Sequence, residues 1–143
     1  MPLFQKILVA YDGSAHSKKA LAKAKEIIEL DQGVEVHIVT VTEPHHVNMY
    51  GYNFNNKYMK EIEAKNARLL EEGRALMEPI DEVCHTKNLE GNVSYEIVDY
   101  AMSQNIDLIV LGSHGTGAFK EVLLGGVSQK VMRHAKCNVL IVR

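Results

Sequence analysis

The segment GSHGTGAFKEVLLGGVS, residues 112–128, places five glycines within fifteen residues (Gly112, Gly115, Gly117, Gly125 and Gly126) and runs into an amphipathic stretch. Glycine lets backbone N–H groups turn toward a ligand with no Cβ in the way, and a helix that follows adds partial positive charge at its N-terminus. The chemistry this suits is the holding of a polyphosphate. The segment is neither GxxxxGK[ST] nor GxGxxG, since its glycines run GxxGxG. Glycine content by itself also fits a purely structural use in tight turns and a helix start.

The other candidates are weaker. Asp12 closes an apolar run, where a carboxylate can face a ligand or form an Asx-turn into the next element. His114 has the chemistry of a general base, but no Ser, Cys or carboxylate partner can be placed beside it from sequence, so a turn-shaping role is expected and no catalytic residue is named. His45 and His46 are adjacent instead of at helical ligand spacing, which reads as a solvated pair and not a metal site. Cys84 and Cys137 lack CxxC spacing and read as spectator thiols. Tyr50, Tyr52, Phe54 and Tyr58 form an aromatic group that can lid a ligand, cover a partner or, equally, pack as a satellite cluster, and Lys120 and Lys130 read as solvated.

Positioning these residues requires alternating strands and helices. The run Ile7 to Tyr11, closed by Asp12-Gly13-Ser14, reads as a strand buried on both faces. From Ala15, the apolar positions Ala20, Leu21, Ala24, Ile27 and Ile28 recur at helical spacing, with Ser14 or Ser17 as cap. Residues 34–41 are β-branched, 43–56 read as a long loop, and Met59 to Val83 follow helical spacing until Pro79 ends or kinks the pattern. Residues 83–90 alternate weakly, as an edge strand tolerates. A helical pattern through Ile97 to Met102, a strand over 107–112, a helix from Val127 to Ala135 and a strand over 138–143 complete the chain. Five strands alternating with four helices imply a parallel sheet with right-handed crossovers, an α/β fold. Ligands of such sheets lie beyond the carboxyl ends of the strands, which is where the glycine segment falls.

Composition narrows the function. The 143 residues are 46% apolar and 24% charged, enough to bury one core, so residues 1–143 are read as a single domain. A formal net charge of -2 argues against the basic face that nucleic acid needs. The apolar runs 108–111 and 122–124 fall far short of the ~20 residues of a membrane span. The first residues lack a signal-peptide pattern, and a cytoplasmic location is expected.

Beyond these motifs, the chain resembles the ATP-binding branch of the universal stress protein family along nearly its whole length. The resemblance rests on ILVAYDGS at 7–14, GNVSYEIV at 91–98, IDLIVLGSHG at 106–115, LLGGVSQKV at 123–131, CNVLIV at 137–142, and the spacing of Gly112, Gly115 and Gly125. It implies a Rossmann-like open parallel sheet of strand order 3-2-1-4-5 with helices on both faces, a homodimer, and ATP across the ends of strands one and four. Pairing through the C-terminal strand is expected because Val139 to Val142 form an apolar edge. Carried over by position, Ala10, Tyr11 and Asp12 meet the nucleoside and Val41 presents backbone groups to adenine. Leu111, Gly112 and Gly115 line the phosphate path, and Gly125, Gly126, Val127 and Ser128 wrap the phosphates, bridged by Mg2+ or Mn2+. One position departs from the family pattern: Gly126 stands where ATP-binding members usually carry Ser, Thr or Asn, so a capping hydroxyl is lost, and Ser128 is expected to replace part of it. The implied function is a nucleotide-dependent regulator or sensor in stress response that acts on a protein partner. The alternatives are slow ATP hydrolysis or phosphotransfer, and a dimer that has lost nucleotide.

Overall fold

The central strand sets the architecture. In β1 (Lys6–Ala10), Ile7, Leu8 and Val9 are each 0% exposed, which requires cover on both faces of the sheet. The computed structural model, which describes residues 3–43, 52–80, 84–114 and 124–143 (backbone alone for 52–56), provides that cover. β1 pairs in parallel with β2 (Glu35–Thr42) on one side and with β4 (Leu108–Gly112) on the other, so that Leu8 lies opposite His37 and Ile109. β3 (Cys84–Glu90) and β5 (Asn138–Val142) are the edges, and the parallel order is β3-β2-β1-β4-β5.

Strand alternation divides the core into two layers. Ile7, Val9, Val36, Ile38 and Val110 face α1 (Ala15–Leu30) and α2 (Tyr52–Leu76), where Ala20, Leu21, Ala24 and Ile28 pack on them. Leu8, Val39, Ile109 and Leu111 face α3 (Val93–Ser103) and α4 (Gly126–His134), through Ile97, Ala101 and Val131. This is the Rossmann-like α/β arrangement expected from the sequence, with helices on both faces. Among the described residues no helix is long and apolar enough to cross a membrane.

Side-chain caps start α1 and α3. Gly13 takes φ +81°, a left-handed conformation costly for other residues, and turns the chain out of β1. Ser14 then caps α1, its side chain accepting from the Ser17 N–H at 3.2 Å, and Asn92 caps α3 by accepting from Tyr95 N–H at 3.2 Å. The cap is therefore Ser14, while Ser17 is buried and returns its hydroxyl to the Ser14 carbonyl at 3.0 Å.

Two boundaries differ from the sequence reading. α2 begins at Tyr52, so residues 52–56 are helical although their Asn-rich composition reads as loop. The helix ends at Leu76, three residues before Pro79, and Met77 seals the turn at 1% exposure. The rest of the expected 43–56 loop after Glu43, with His45, His46 and Tyr50, lies outside the described residues, as do the side chains of Tyr52 and Phe54. Cys84 and Cys137 are free and half-buried; burial pushes both thiols above their ordinary range, which fits spectators.

Candidate functional site

Strand order reverses direction between β1 and β4, since β1 leads outward to β2 and β3 while β4 leads to β5 on the other side. The connections leaving the carboxyl ends of β1 and β4 therefore part, and a crevice opens between them. A cleft of about 710 Å³ lies there. That size falls within the range of small-molecule sites, about 300–1,000 Å³.

Ten of the eleven residues singled out from sequence line this cleft: Ala10, Tyr11, Asp12, Val41, Leu111, Gly112, Gly125, Gly126, Val127 and Ser128. Gly115, the eleventh, lies outside the described residues, as does Lys120. The structure thus brings together three strand ends and the start of α4.

Their roles differ in detail. The Asp12 carboxylate accepts from the Ser14 N–H at 2.9 Å, an Asx-turn that fixes its orientation at the cleft edge. Tyr11 is 1% exposed with its hydroxyl donating to the Glu72 carboxylate. Burial, then that bond and the charge of Glu72, hold its phenol well above the ordinary tyrosine range.

The glycines divide by what surrounds them. A Cβ on Gly112 would lie 2.6 Å from the His16 carbonyl carbon and 2.7 Å from its Cβ and O. Gly112 is thus required where α1 crosses β4, whether or not a ligand is present. A Cβ on Gly125 would meet the Ser113 carbonyl at 3.3 Å, whereas one on Gly126 would meet nothing within 4 Å. Gly125, not Gly126, is the N-cap of α4, and it makes no side-chain cap bond; Gly126 is the first helical residue.

The first intrahelical bond of α4 runs from Gln129 N–H to the Gly125 carbonyl at 3.1 Å. The N–H groups of Gly126, Val127 and Ser128 precede it and are the natural donors to an anion in the cleft. Ser128 does not offer its hydroxyl hydrogen as the sequence reading expects. It is 3% exposed, and its Oγ donates to the Gly112 carbonyl at 2.8 Å, with the Ser113 carbonyl at 3.3 Å, tying α4 to the end of β4.

Several site features were not legible from spacing. Ser113, 1% exposed, holds its Oγ 3.2 Å from His16 Nδ1 and 3.1 Å from His114 Nδ1, with the imidazole rings 5.1 Å apart. His114 thus has hydroxyl and imidazole neighbours that sequence did not supply. Ser113 itself does not line the cleft, whereas His114 does. Glu43, just past the end of β2, also lines the cleft, as does Lys65 of α2. Its helix is anchored by the next residue: Asn66, 7% exposed, donates to Thr42 Oγ1 at 2.5 Å and to Asn88 Oδ1 at 3.2 Å. This buried amide network pins α2 to the carboxyl ends of β2 and β3, beside the cleft.

Comparison with known proteins gives the same frame. Residues 3–143 match the model of the universal stress protein family. The universal stress protein YxiE of Bacillus subtilis is 32% identical, with 99% of this chain and 100% of that protein covered. A universal stress protein of Thermus aquaticus is 36% identical, covering 99% and 100%. Among solved structures, MJ0577 of Methanocaldococcus jannaschii superposes with a TM-score of 0.87 at 26% identity, covering 98% of this chain and 96% of that one. Two more distant structures share the fold: a universal stress protein in complex with cAMP (TM-score 0.74, 23% identity, 98% and 97% covered) and one from Archaeoglobus fulgidus in complex with dAMP (TM-score 0.66, 20% identity, 100% and 100% covered).

Proposed function

The chain belongs to the universal stress protein family, and from that premise we propose that it binds ATP in the cleft between β1 and β4 and acts as a nucleotide-dependent regulator or sensor in stress response. The observation that carries this reading is the start of α4: three backbone N–H groups ahead of the first intrahelical bond, at residues that line a cleft of nucleotide size. The adenosine end lies along Ala10, Tyr11, Asp12 and Val41. The phosphates run past Leu111, Gly112 and Gly115 to Gly125, Gly126, Val127 and Ser128. Related folds in complex with cAMP and dAMP support an adenine nucleotide as the ligand class.

Among the described residues the cleft lining includes the carboxylates of Asp12 and Glu43 as well as Lys65, so it holds no excess of positive charge with which to neutralise a triphosphate. Mg2+ or Mn2+ would accompany the nucleotide and supply the positive charge that offsets its phosphates. Regulation follows if ATP binds one conformation of the parted loops better than another and shifts the population toward it. The protein acts in the cytoplasm as one domain.

Self-association runs through β5. That strand is a sheet edge whose side chains already pack inward, Leu140 and Val142 on one layer and Val139 and Ile141 on the other, leaving its outer backbone for a second copy. Sedimentation that shows only monomer across micromolar concentrations refutes this pairing. The binding reading is tested by calorimetric titration of nucleotide-stripped protein with ATP and Mg2+. Saturable binding in the micromolar range is expected, and no heat up to millimolar ATP overturns it.

A further inference from the structure

At the opposite end of the sheet from the cleft, three potential ligands converge. Glu35 and His37 lie two residues apart in β2 and therefore on one face, and His85 of β3 is paired in register with His37. One potential ligand atom from each of Glu35, His37 and His85 lies within 4.8 Å of the others. His85 Nε2 is 2.6 Å from Glu35 Oε1, His37 Nε2 is 3.5 Å from the same oxygen, and the imidazole ring centroids lie 4.6 Å apart with the planes tilted by 38°. Glu35 Oε2 points elsewhere, 3.7 Å from Lys6 Nζ, which leaves Oε1 to the histidines.

The independent sign of a ligand is His37. It is 4% exposed, yet among the described residues its Nε2 has no hydrogen-bond partner and is aimed at this cluster, with Glu35 Oε1 3.5 Å away. A buried polar atom without a partner is unfavourable, and native interiors rarely keep one without a use for it. The other ring nitrogen is held: His37 Nδ1 is 2.7 Å from the Tyr100 hydroxyl of α3. When Nδ1 carries the proton and donates it to that oxygen, the Nε2 lone pair faces Glu35 and His85. Outer-sphere bonds of this kind fix the tautomer and aim the ring of a metal-ligating histidine.

We propose that Glu35 Oε1, His37 Nε2 and His85 Nε2 form a binding site for one divalent transition-metal ion of the Zn2+ class, with water in the fourth position. Two imidazoles and one carboxylate suit a borderline ion better than Mg2+ or Ca2+, which take oxygen ligands. Ligands about 2.0–2.1 Å from a tetrahedral ion stand about 3.3–3.4 Å apart. The His37 to Glu35 separation of 3.5 Å is close to that already, and the 2.6 Å between His85 and Glu35 widens as the metal displaces the shared proton. His85 is half-exposed, with 50% of its side chain accessible, so it has room for that adjustment and the fourth position is open to solvent. Tyr100 is a positioning residue and does not touch the ion.

The test is titration of the chelator-stripped full chain, without nucleotide, with Zn2+ by calorimetry. Co2+ absorption reports the coordination geometry, and two-bond 1H–15N spectra report each imidazole nitrogen. Expected are one ion per chain, a tetrahedral Co2+ spectrum, and loss or shift of the Nε2 signals of His37 and His85. His85→Gln keeps a donor for Glu35 and should fold normally, yet should weaken Zn2+ at least tenfold; Glu35→Gln should do the same. Tyr100→Phe should weaken it by about 10–100-fold while both Nε2 signals still respond. No binding at millimolar Zn2+, equal affinity in His85→Gln, or saturation with the Nε2 signals of His37 and His85 unmoved would each overturn the proposal.

Discussion

Two glycines that bound the same loop should respond oppositely to the same substitution. Gly112→Ala puts a Cβ 2.6 Å from the His16 carbonyl carbon and 2.7 Å from its Cβ and O, inside the contact distance of atoms that belong mostly to helix backbone. No flexible side-chain end is available to move, so α1 must lift from β4 or the end of β4 must shift. Overpacking of this kind costs about 1–3 kcal/mol, and the rigid neighbour puts the expected value at the upper end, about 3 kcal/mol. Gly126→Ala meets nothing within 4 Å, and it replaces glycine by alanine in the first turn of α4. It should stabilise by up to about 1 kcal/mol. With about 2.1 cal/mol/K of unfolding entropy per residue, the 143 residues give about 0.3 kcal/mol/K. Thermal unfolding followed by circular dichroism should thus show Gly112→Ala lower by about 10 °C and Gly126→Ala level or higher by about 3 °C. Equal Tm values for the two variants, or a larger loss in Gly126→Ala, would refute the assignment of Gly112 to helix packing and of Gly126 to open space.

Reversing the charge at the cleft rim, Lys65→Glu, should weaken ATP binding by about 1 kcal/mol, about fivefold in Kd, and the difference should shrink at high salt; a salt-independent change in calorimetry would contradict an electrostatic role. Removing the buried amide with Asn66→Ala strips Thr42 and Asn88 of a donor and should cost about 1–3 kcal/mol in urea unfolding, and a loss under 0.5 kcal/mol would argue against the network. The raised phenol of Tyr11 makes a pH signature: its contribution is whole below about pH 10, where the unfolded tyrosine ionises, and is lost as pH rises toward the folded value. Wild type should therefore lose stability above about pH 10 more steeply than Tyr11→Phe, by up to about 1.4 kcal/mol per pH unit, and parallel curves would refute it.

The strands were readable because β1 and β4 are covered on both faces, which forces runs such as Ile7 to Val9 and Leu108 to Leu111. The glycine segment was readable because its spacing reflects where a backbone must come close to something. Spacing could not tell that the close neighbour of Gly112 is His16, ninety-six residues earlier, or that Ser128 turns its hydroxyl inward to the Gly112 carbonyl. The N-cap position was shifted by one residue, since Gly125 and Gly126 are chemically identical and only the backbone distinguishes cap from first turn. Residues 52–56 join α2 against their loop-like composition. Lys65 reaches the cleft, and His85 meets the Glu35 and His37 pair of β2, only through the packing of separate elements. No local pattern encodes such meetings.

The most direct test of a nucleotide seated on the start of α4 is a 1H–15N spectrum of the backbone amides during titration with ATP and Mg2+. The account predicts saturable shifts at Gly126, Val127 and Ser128, accompanied by Tyr11 and Val41 across the cleft. Unmoved α4 amides at millimolar ATP, or shifts confined to residues away from the ends of β1 and β4, would contradict it.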